Sequence, residues 1–285
     1  MAMFSFTGDV AVTTPFARKI QSRRLVKTYF LRRGKRVVSR GNAGFANCAT
    51  SPLLTVKDVR YQPADSGKMV LQGVSLEMPD RGLGIIVGSS GSGKTTLLQC
   101  VAGLLPPSEG KIALSTSTDN DEETSMDKLC EAVGMVFQFP ERHFLANSVL
   151  EELTFGWPRS ADRYDMRKDM FFRLQSALQS VGMDNISVDT PVDALSGGYQ
   201  RRLALALQLV RMPALLLMDE PLAGLDWKTR AELVPLLASV KKERAVLVVS
   251  HDLSELAPIA DYAWRMMPGG TLVEIPVDQL SYSML

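Results

Sequence analysis

The residues best suited to chemistry in this chain form a glycine-rich loop. Gly88 and Gly93 are separated by four residues and are followed by Lys94 and Thr95. In this pattern backbone N–H groups surround phosphates, the lysine reaches their outer oxygens, and the last hydroxyl binds Mg²⁺. An apolar run at 83–87 predicts a buried strand that enters the loop, and a helical pattern follows it. This context favours a phosphate-binding loop over a flexible Gly/Ser turn.

A second candidate site follows another apolar run. Residues 215–218 read Leu-Leu-Leu-Met, and Asp219 and Glu220 come next. A strand that is buried on both faces of a parallel sheet delivers its polar residues at the carboxyl edge, where the crevice of an open α/β sheet lies. Asp219 is therefore placed to bind Mg²⁺, through water, and Glu220 to polarise an attacking water. The phosphate loop upstream disfavours a plain acidic turn.

With these motifs, residues from about 53 to 275 resemble the nucleotide-binding subunit of an ABC transporter. The resemblance implies an α/β fold with a P-loop NTPase core and a mainly parallel sheet. It also implies a small antiparallel β subdomain and a helical signature subdomain at about 139–210, all within an ATP-binding domain at 51–285. The nucleotide implied is ATP, with Mg²⁺.

The resemblance also implies roles for residues outside the two motifs. Tyr61 resembles the aromatic residue that stacks on adenine, and Gln138 the glutamine that contacts Mg²⁺ and the attacking water. The run Ser196-Gly197-Gly198 resembles the signature that caps the γ-phosphate held by the opposite protomer. Asp226 resembles the aspartate that bridges the protomers, and His251 the switch histidine at the γ-phosphate.

The predicted site therefore has four parts. The predicted ATP-binding residues are Tyr61, Gly88, Ser89, Ser90, Gly91, Ser92, Gly93, Lys94, Thr95 and Thr96. The predicted catalytic residues are Glu220, His251 and Gln138, and the predicted Mg²⁺ ligands are Thr95, Gln138 and Asp219. The predicted dimer residues are Ser196, Gly197 and Gly198, which act in trans, and Asp226.

Two positions depart from the pattern of this family. Tyr199 follows the signature where the family usually has Gln, which affects the contact made there across the dimer. Ser89 replaces a proline that many relatives carry, and this change leaves the N–H groups of the loop intact. Because the cation, the acids and the histidine are all present, we expect an active hydrolase and not a nucleotide-binding clamp without turnover.

The resemblance also bears on partners. Since the signature serves the other protomer, we expect a head-to-tail homodimer, or a heterodimer with a related ABC ATPase. No run of 18 apolar residues is present, so transport requires a separate transmembrane subunit. Residues 136–156 resemble the ATPases of energy-coupling-factor importers, which move vitamins and transition-metal ions in bacteria. The alternative is a soluble ABC ATPase of iron–sulfur cluster assembly.

Nucleic acid is not an expected partner. ABC proteins of DNA repair or translation would need a long coiled-coil insertion or a second cassette, and the sequence contains neither. For a membrane partner, residues 139–145 follow Gln138 directly, and they mix apolar with charged side chains. This mixture predicts a groove for an amphipathic helix. Alternatively, Phe144 and Leu145 pack inside the helical subdomain.

The first fifty residues differ in charge from the rest. Residues 1–50 hold ten Lys/Arg and one acid, a net charge of +9, whereas the remainder holds 22 basic and 30 acidic residues, a net charge of −8. A segment rich in Ser, Thr and Arg and poor in acids predicts an organelle transit peptide. A basic arm for nucleic acid or anionic lipid is the alternative. Because the chain resembles the single-cassette ABC subunits of plant plastids, we expect a chloroplast protein on the stromal side of a membrane, with the mitochondrion as the alternative.

Overall fold

A computed structural model describes residues 52–64, 67–115, 124–157, 164–251 and 253–282. The predicted basic extension at 1–50 lies outside the described residues. So do residues 158–163. These include the start of a helix that the sequence predicts at 161–181, because apolar residues recur there at intervals of three and four: Met170, Phe171, Leu174, Ala177, Leu178 and Val181.

A six-stranded sheet forms the centre of the fold. Its strand order is β5-β6-β7-β3-β8-β9, and all pairs are parallel except β8 with β9. The strands are β3 Gly82–Val87, β5 Val133–Val136, β6 Leu215–Asp219, β7 Ala245–Val249, β8 Tyr262–Met266 and β9 Leu272–Glu274. β6 and β7 are buried along their whole length, which explains why both read as continuous apolar runs.

Successive residues of these strands face opposite sides of the sheet, as the two-residue period of a strand requires. In β6, Leu216 and Met218 pack on the side that carries the helices Tyr164–Ser180 and Gly197–Leu209, whereas Leu215 and Leu217 pack on the side of a second, smaller sheet. The central sheet therefore separates two hydrophobic cores and is held from both faces.

The smaller sheet is antiparallel, with the order β2-β1-β4. Its strands are β1 Leu54–Tyr61, β2 Leu71–Met78 and β4 Glu109–Leu114. Gln72 N–H donates to Gly270 O at 2.9 Å, which ties this sheet to the turn between β8 and β9. At Gly270, where φ is +84°, a Cβ atom would collide with Val70 O, so glycine is required there. The mainly parallel core and the small antiparallel sheet confirm the predicted fold class.

The helices surround the central sheet. They are α1 Lys94–Val101, α2 Met126–Ala132, α3 Val149–Leu153, α4 Tyr164–Ser180, α5 Gly197–Leu209 and α6 Trp227–Val240. Short 3₁₀ turns lie at Pro140–Arg142, Val192–Ala194, Ala257–Ile259 and Val277–Tyr282. The helices α3, α4 and α5 occupy the range predicted for the helical subdomain, whose limits at 139–210 remain a prediction.

Helix α4 packs through one side of its apolar pattern. Leu174, Ala177 and Leu178 are buried against the core, whereas Phe171 is half exposed. The apolar period at three and four residues therefore indicated the helix correctly but included one aromatic residue that faces away from the core. Within the described ranges, no helix combines the length and the apolar character that a membrane crossing requires.

Candidate nucleotide-binding site

A cavity of about 500 Å³ lies at the carboxyl edge of the central sheet. It opens where β5, β6, β7 and β3 end side by side, because parallel neighbours deliver their following loops to one edge. Its lining residues are Val70, Gly88, Ser89, Ser90, Gly91, Gly93, Lys94, Thr95, Thr96, Gln138, Asp219, Glu220 and His251. The fold thus collects residues from five segments of the chain, and all of these residues but Val70 belong to the predicted site.

The glycine loop has a backbone that only glycine adopts easily. Gly93 has a φ of +105° and precedes α1, and none of the described side chains caps the first turn of that helix. A Cβ atom at Gly93 would lie 2.9 Å from Val70 O, so a larger residue does not fit. Free N–H groups at a helix N-terminus, together with the helix dipole, favour a bound anion. The loop therefore presents the backbone donors that a phosphate requires.

Lys94 lies under this loop. Its Nζ donates to Gly88 O at 2.7 Å and to Ser89 O at 2.8 Å, and these bonds hold the ammonium against the backbone. Burial lowers the pKa of Lys94 from its ordinary value, while the charges of Glu220 and Asp219 act in the opposite direction. A buried ammonium that is held by neutral carbonyls is well placed to pair with an anionic ligand.

Asp219 and Thr95 form the next pair. Thr95 Oγ1 donates to Asp219 Oδ2 at 2.9 Å, while the buried Asp219 Oδ1 has no hydrogen-bond partner among the described residues. Burial raises the pKa of Asp219, against the lowering effect of the Thr95 hydroxyl. A buried polar atom without a partner costs about 1–3 kcal/mol. A cation at Oδ1 would remove that cost.

These residues fit a magnesium ion. Mg²⁺ prefers oxygen ligands and is usually held by one or two carboxylates together with substrate phosphates. Thr95 offers a hydroxyl, Asp219 an unpaired carboxylate oxygen, and Gln138 an amide oxygen in the same cavity. Among the described residues, no group of three His, Cys, Asp or Glu side chains could hold a metal without further ligands. An ion at this place would therefore complete its shell with water and nucleotide oxygens.

Glu220 has an unusual backbone and a full set of hydrogen bonds. Its φ is +48°, a left-handed conformation that costs a non-glycine residue about 1–3 kcal/mol. His251 Nδ1 donates to Glu220 Oε1 at 2.8 Å, and Ser250 Oγ and His251 N–H each donate to Oε2 at 3.3 Å. The end of β7 thus holds the carboxylate, and the carboxylate orients a histidine ring that is 64% exposed.

Several predicted residues lie outside the cavity. Tyr61 packs partly against the core beneath the small sheet and does not line the cavity, although its carbonyl accepts a bond from Val70 N–H, and Val70 does line it. The stacking role of Tyr61 therefore remains a prediction. Ser92 also lies outside the lining, and its buried Oγ has no partner within the described part of the chain.

The predicted signature also lies outside the cavity. Ser196 Oγ caps α5 by accepting from Tyr199 N–H, and Asp226 Oδ1 caps α6 by accepting from Thr229 N–H at 3.0 Å. At Gly198 a Cβ atom would overlap Thr229, so the first turns of α5 and α6 are in close contact. The structure therefore brings Gly197, Gly198 and Asp226 to one region, which is distinct from the chain's own cavity.

The sequence reasoning missed two residues that contact Glu220. Ser250 donates to its carboxylate, and the buried Arg201 donates to its carbonyl. Ser250 could have been found as a polar residue at the carboxyl end of an apolar strand. Arg201 could have been found as a basic residue in helical register with the buried Leu205 and Gln208.

The comparisons with known proteins agree with this geometry. A family model described as ABC transporter matches residues 71–223. The chain is 50% identical over 222 residues to ABC transporter I family member 11, chloroplastic, of Arabidopsis thaliana, and the alignment covers 77% of this chain and 80% of the relative. It is 36% identical over 211 residues to the energy-coupling factor transporter ATP-binding protein EcfA2 of Symbiobacterium thermophilum, and that alignment covers 73% of this chain and 72% of the relative.

A solved structure gives the same result. The protein cbiO1 from Clostridium perfringens, described as part of the ABC transporter complex cbiONQ, aligns with a TM-score of 0.69 and 29% identity. The alignment covers 82% of this chain and 92% of that chain. The likeness therefore extends over most of both chains.

Replacing Lys94 with Ala tests the loop. The variant loses the ammonium that lies beside the phosphate-binding backbone, so ATP should no longer raise its melting temperature, as ligand binding to the folded state otherwise does. The control is Lys242→Ala, an exposed lysine at the end of α6. If Lys94→Ala kept the wild-type melting shift with ATP, the role of the loop would be refuted.

Proposed function

The chain belongs to the ABC transporter family as an ATP-binding subunit whose ATP hydrolysis is coupled to transport, and we propose that it works as a head-to-tail dimer that powers a separate membrane subunit. The observation that carries this proposal is the convergence of Lys94, the Thr95–Asp219 pair and the Glu220–His251 pair in one cavity. The substrate class that we propose is a vitamin or a transition-metal ion.

The chemistry follows from positioned charges. Transfer of a phosphoryl group to water needs little covalent help, so the site acts by orientation and by stabilising the developing charge. Lys94 supplies a cation beside the loop, and Mg²⁺ when bound would neutralise further charge beside Thr95 and Asp219. Glu220 is the general base for water, held by Ser250 and His251, and Gln138 lies at the same cavity.

The dimer proposal rests on the residues that lie outside the cavity. Gly197 and Gly198 begin α5, Asp226 caps α6, and the contact of Gly198 with Thr229 brings these two helix starts together. One surface therefore carries the signature and the bridging aspartate, and a second protomer would receive it across its own ATP. That protomer is either a second copy or a related ATPase.

Replacing Glu220 with Gln tests the catalytic assignment. The amide keeps the shape but cannot accept the proton of water, so turnover should fall by about 10²-fold or more while ATP binding persists. Size-exclusion chromatography with ATP should show an accumulated dimer. Glu274→Gln, on the exposed edge strand β9, is the control for loss of a carboxylate. Near-normal phosphate release by Glu220→Gln would rule out this role.

The membrane partner is proposed from the relatives and from the surface beside Gln138. Phe144 packs partly against the core, which favours the second of the two expectations for that residue. Phe139 is instead 40% exposed, and the Arg142 guanidinium lies 4.3 Å from its ring centroid. The ring centroids of Phe137 and His143 lie 4.4 Å apart, so the two ends of the segment 137–143 are in contact. Phe139 and Arg142 thus form the exposed surface that would receive an amphipathic helix.

Replacing Phe139 with Asp tests this docking surface. A carboxylate would abolish the apolar contact, so the variant should no longer co-sediment with membranes that contain the partner, while the ATP-induced melting shift survives. Met212→Asp is the matched control, because Met212 is also an exposed apolar residue but follows the far end of α5. Equal co-sedimentation of Phe139→Asp and wild type would contradict the proposed surface.

We further propose a chloroplast location, on the stromal side of a membrane. The support is the relative named as chloroplastic and the net charge of +9 on residues 1–50. Fusing residues 1–50 to a fluorescent reporter should send that reporter to plastids in plant cells, with the reporter alone as the control. A mitochondrial, nuclear or cytosolic signal would refute the plastid address.

A further inference from the structure

Arg201 is a buried cation whose donors go to backbone carbonyls. It is 7% exposed, its Nη1 donates to Glu220 O at 3.2 Å, and its Nη2 donates to Ala223 O at 2.6 Å. Within the described residues, no carboxylate lies close enough to form an ion pair with it. Burial lowers the pKa of Arg201, against the charges of Glu141 and Glu220. An arginine nevertheless stays protonated in proteins, so a full charge is held at this turn.

The two carbonyls belong to the two ends of one short turn. Ala223 N–H donates to Glu220 O at 3.2 Å, so the Glu220 carbonyl accepts both this bond and the Arg201 bond. The planar guanidinium can bridge the two carbonyls because its donors are arranged in a rigid fork. Arg201 therefore clamps the turn whose first residue, Glu220, has the left-handed φ of +48°.

Such a backbone persists only where the surroundings hold it. Glu220 N–H donates to Val249 O at 2.9 Å, which holds the residue from the β7 side. Arg201 holds it from the opposite element, helix α5. These two contacts fix the backbone angles of Glu220. The backbone angles in turn set the direction in which the Glu220 carboxylate points.

Because Arg201 belongs to α5, its bonds also connect the Glu220 turn to that helix. Arg201 lies one helical turn after Gly198, on the same face of the helix that begins with the proposed signature. We infer that Arg201 is a positioning residue that sets the orientation of the general base Glu220 and ties it to the position of the signature helix α5. This inference rests on the proposed function, in which the start of α5 contacts the ATP that is bound by the opposite protomer.

The first test compares Arg201→Met with Arg202→Met. Arg202 is the next residue on α5, and it donates to Val181 O at 2.6 Å and to Glu232 at 2.8 Å, away from the catalytic turn. Both variants lose a bridging guanidinium, so both should lower the melting temperature. Only Arg201→Met should lower kcat per folded molecule, by about tenfold or more, with KM within about threefold of wild type.

The second test is a double-mutant cycle with Glu220→Gln, measured in single-turnover hydrolysis. If Arg201 acts through the carboxylate, Arg201→Met should cause little further loss once the base is gone, because residues that act as a unit are not additive. A purely structural role predicts the same fold-loss in both backgrounds. Such an additive cycle would overturn the inference, as would a kcat for Arg201→Met equal to that of Arg202→Met.

Arg201→Lys serves if the Met variant does not fold. An ammonium keeps the charge but donates as a single point, so it cannot bridge the Glu220 and Ala223 carbonyls as the fork does. We expect its stability to recover while kcat stays low, and full recovery of kcat would overturn the inference. If Glu220→Gln itself kept turnover, the proposed function would fail. If Glu220→Gln lost turnover while the Arg201 variants kept the wild-type kcat, the inference would fail and the proposed function would stand.

Discussion

The parallel pairing of β6 between β5 and β7 is the constraint on which the rest of the site depends. All three strands are buried, and their register places Asp219 beside Val249 at the carboxyl edge. A buried strand cannot slip by one residue without turning its apolar side chains to the wrong face. The two cores on either side of the sheet therefore fix the height at which Asp219 and Glu220 emerge.

The same edge holds several charges that water does not solvate. Lys94 is held by loop carbonyls, Asp219 has one unpaired oxygen, and Arg201 is bonded to carbonyls alone among the described residues. Burying such groups costs free energy that unpaired charges cannot recover. We propose that a polyanionic nucleotide and a cation offset this cost at Lys94 and Asp219 when they bind.

Strain and hydrogen bonding meet at Glu220. Its left-handed backbone is held by β7 through Val249 and by α5 through Arg201, while its carboxylate is held by Ser250 and His251. These elements come from distant parts of the chain. The proposed base is therefore tied to the position of α5, which gives the proposed dimer a physical route between its two nucleotide sites.

The local motifs were readable from the sequence. The glycine loop, the apolar strands at 83–87 and 215–218, and the acids after the latter each carry a local signal, because burial on both faces and left-handed glycines leave short patterns in the chain. These patterns account for ten of the thirteen residues that line the cavity, and the family resemblance added Gln138 and His251. The sequence positions of Ser250 and Arg201 mark them as candidates, but their contacts with Glu220 could not be read in this way. Nor could the position of Tyr61 outside the cavity or the packing of Phe144. These features depend on how β7, α5 and the small sheet pack against β6, and such distances are set by non-local contacts that leave no spacing in the sequence.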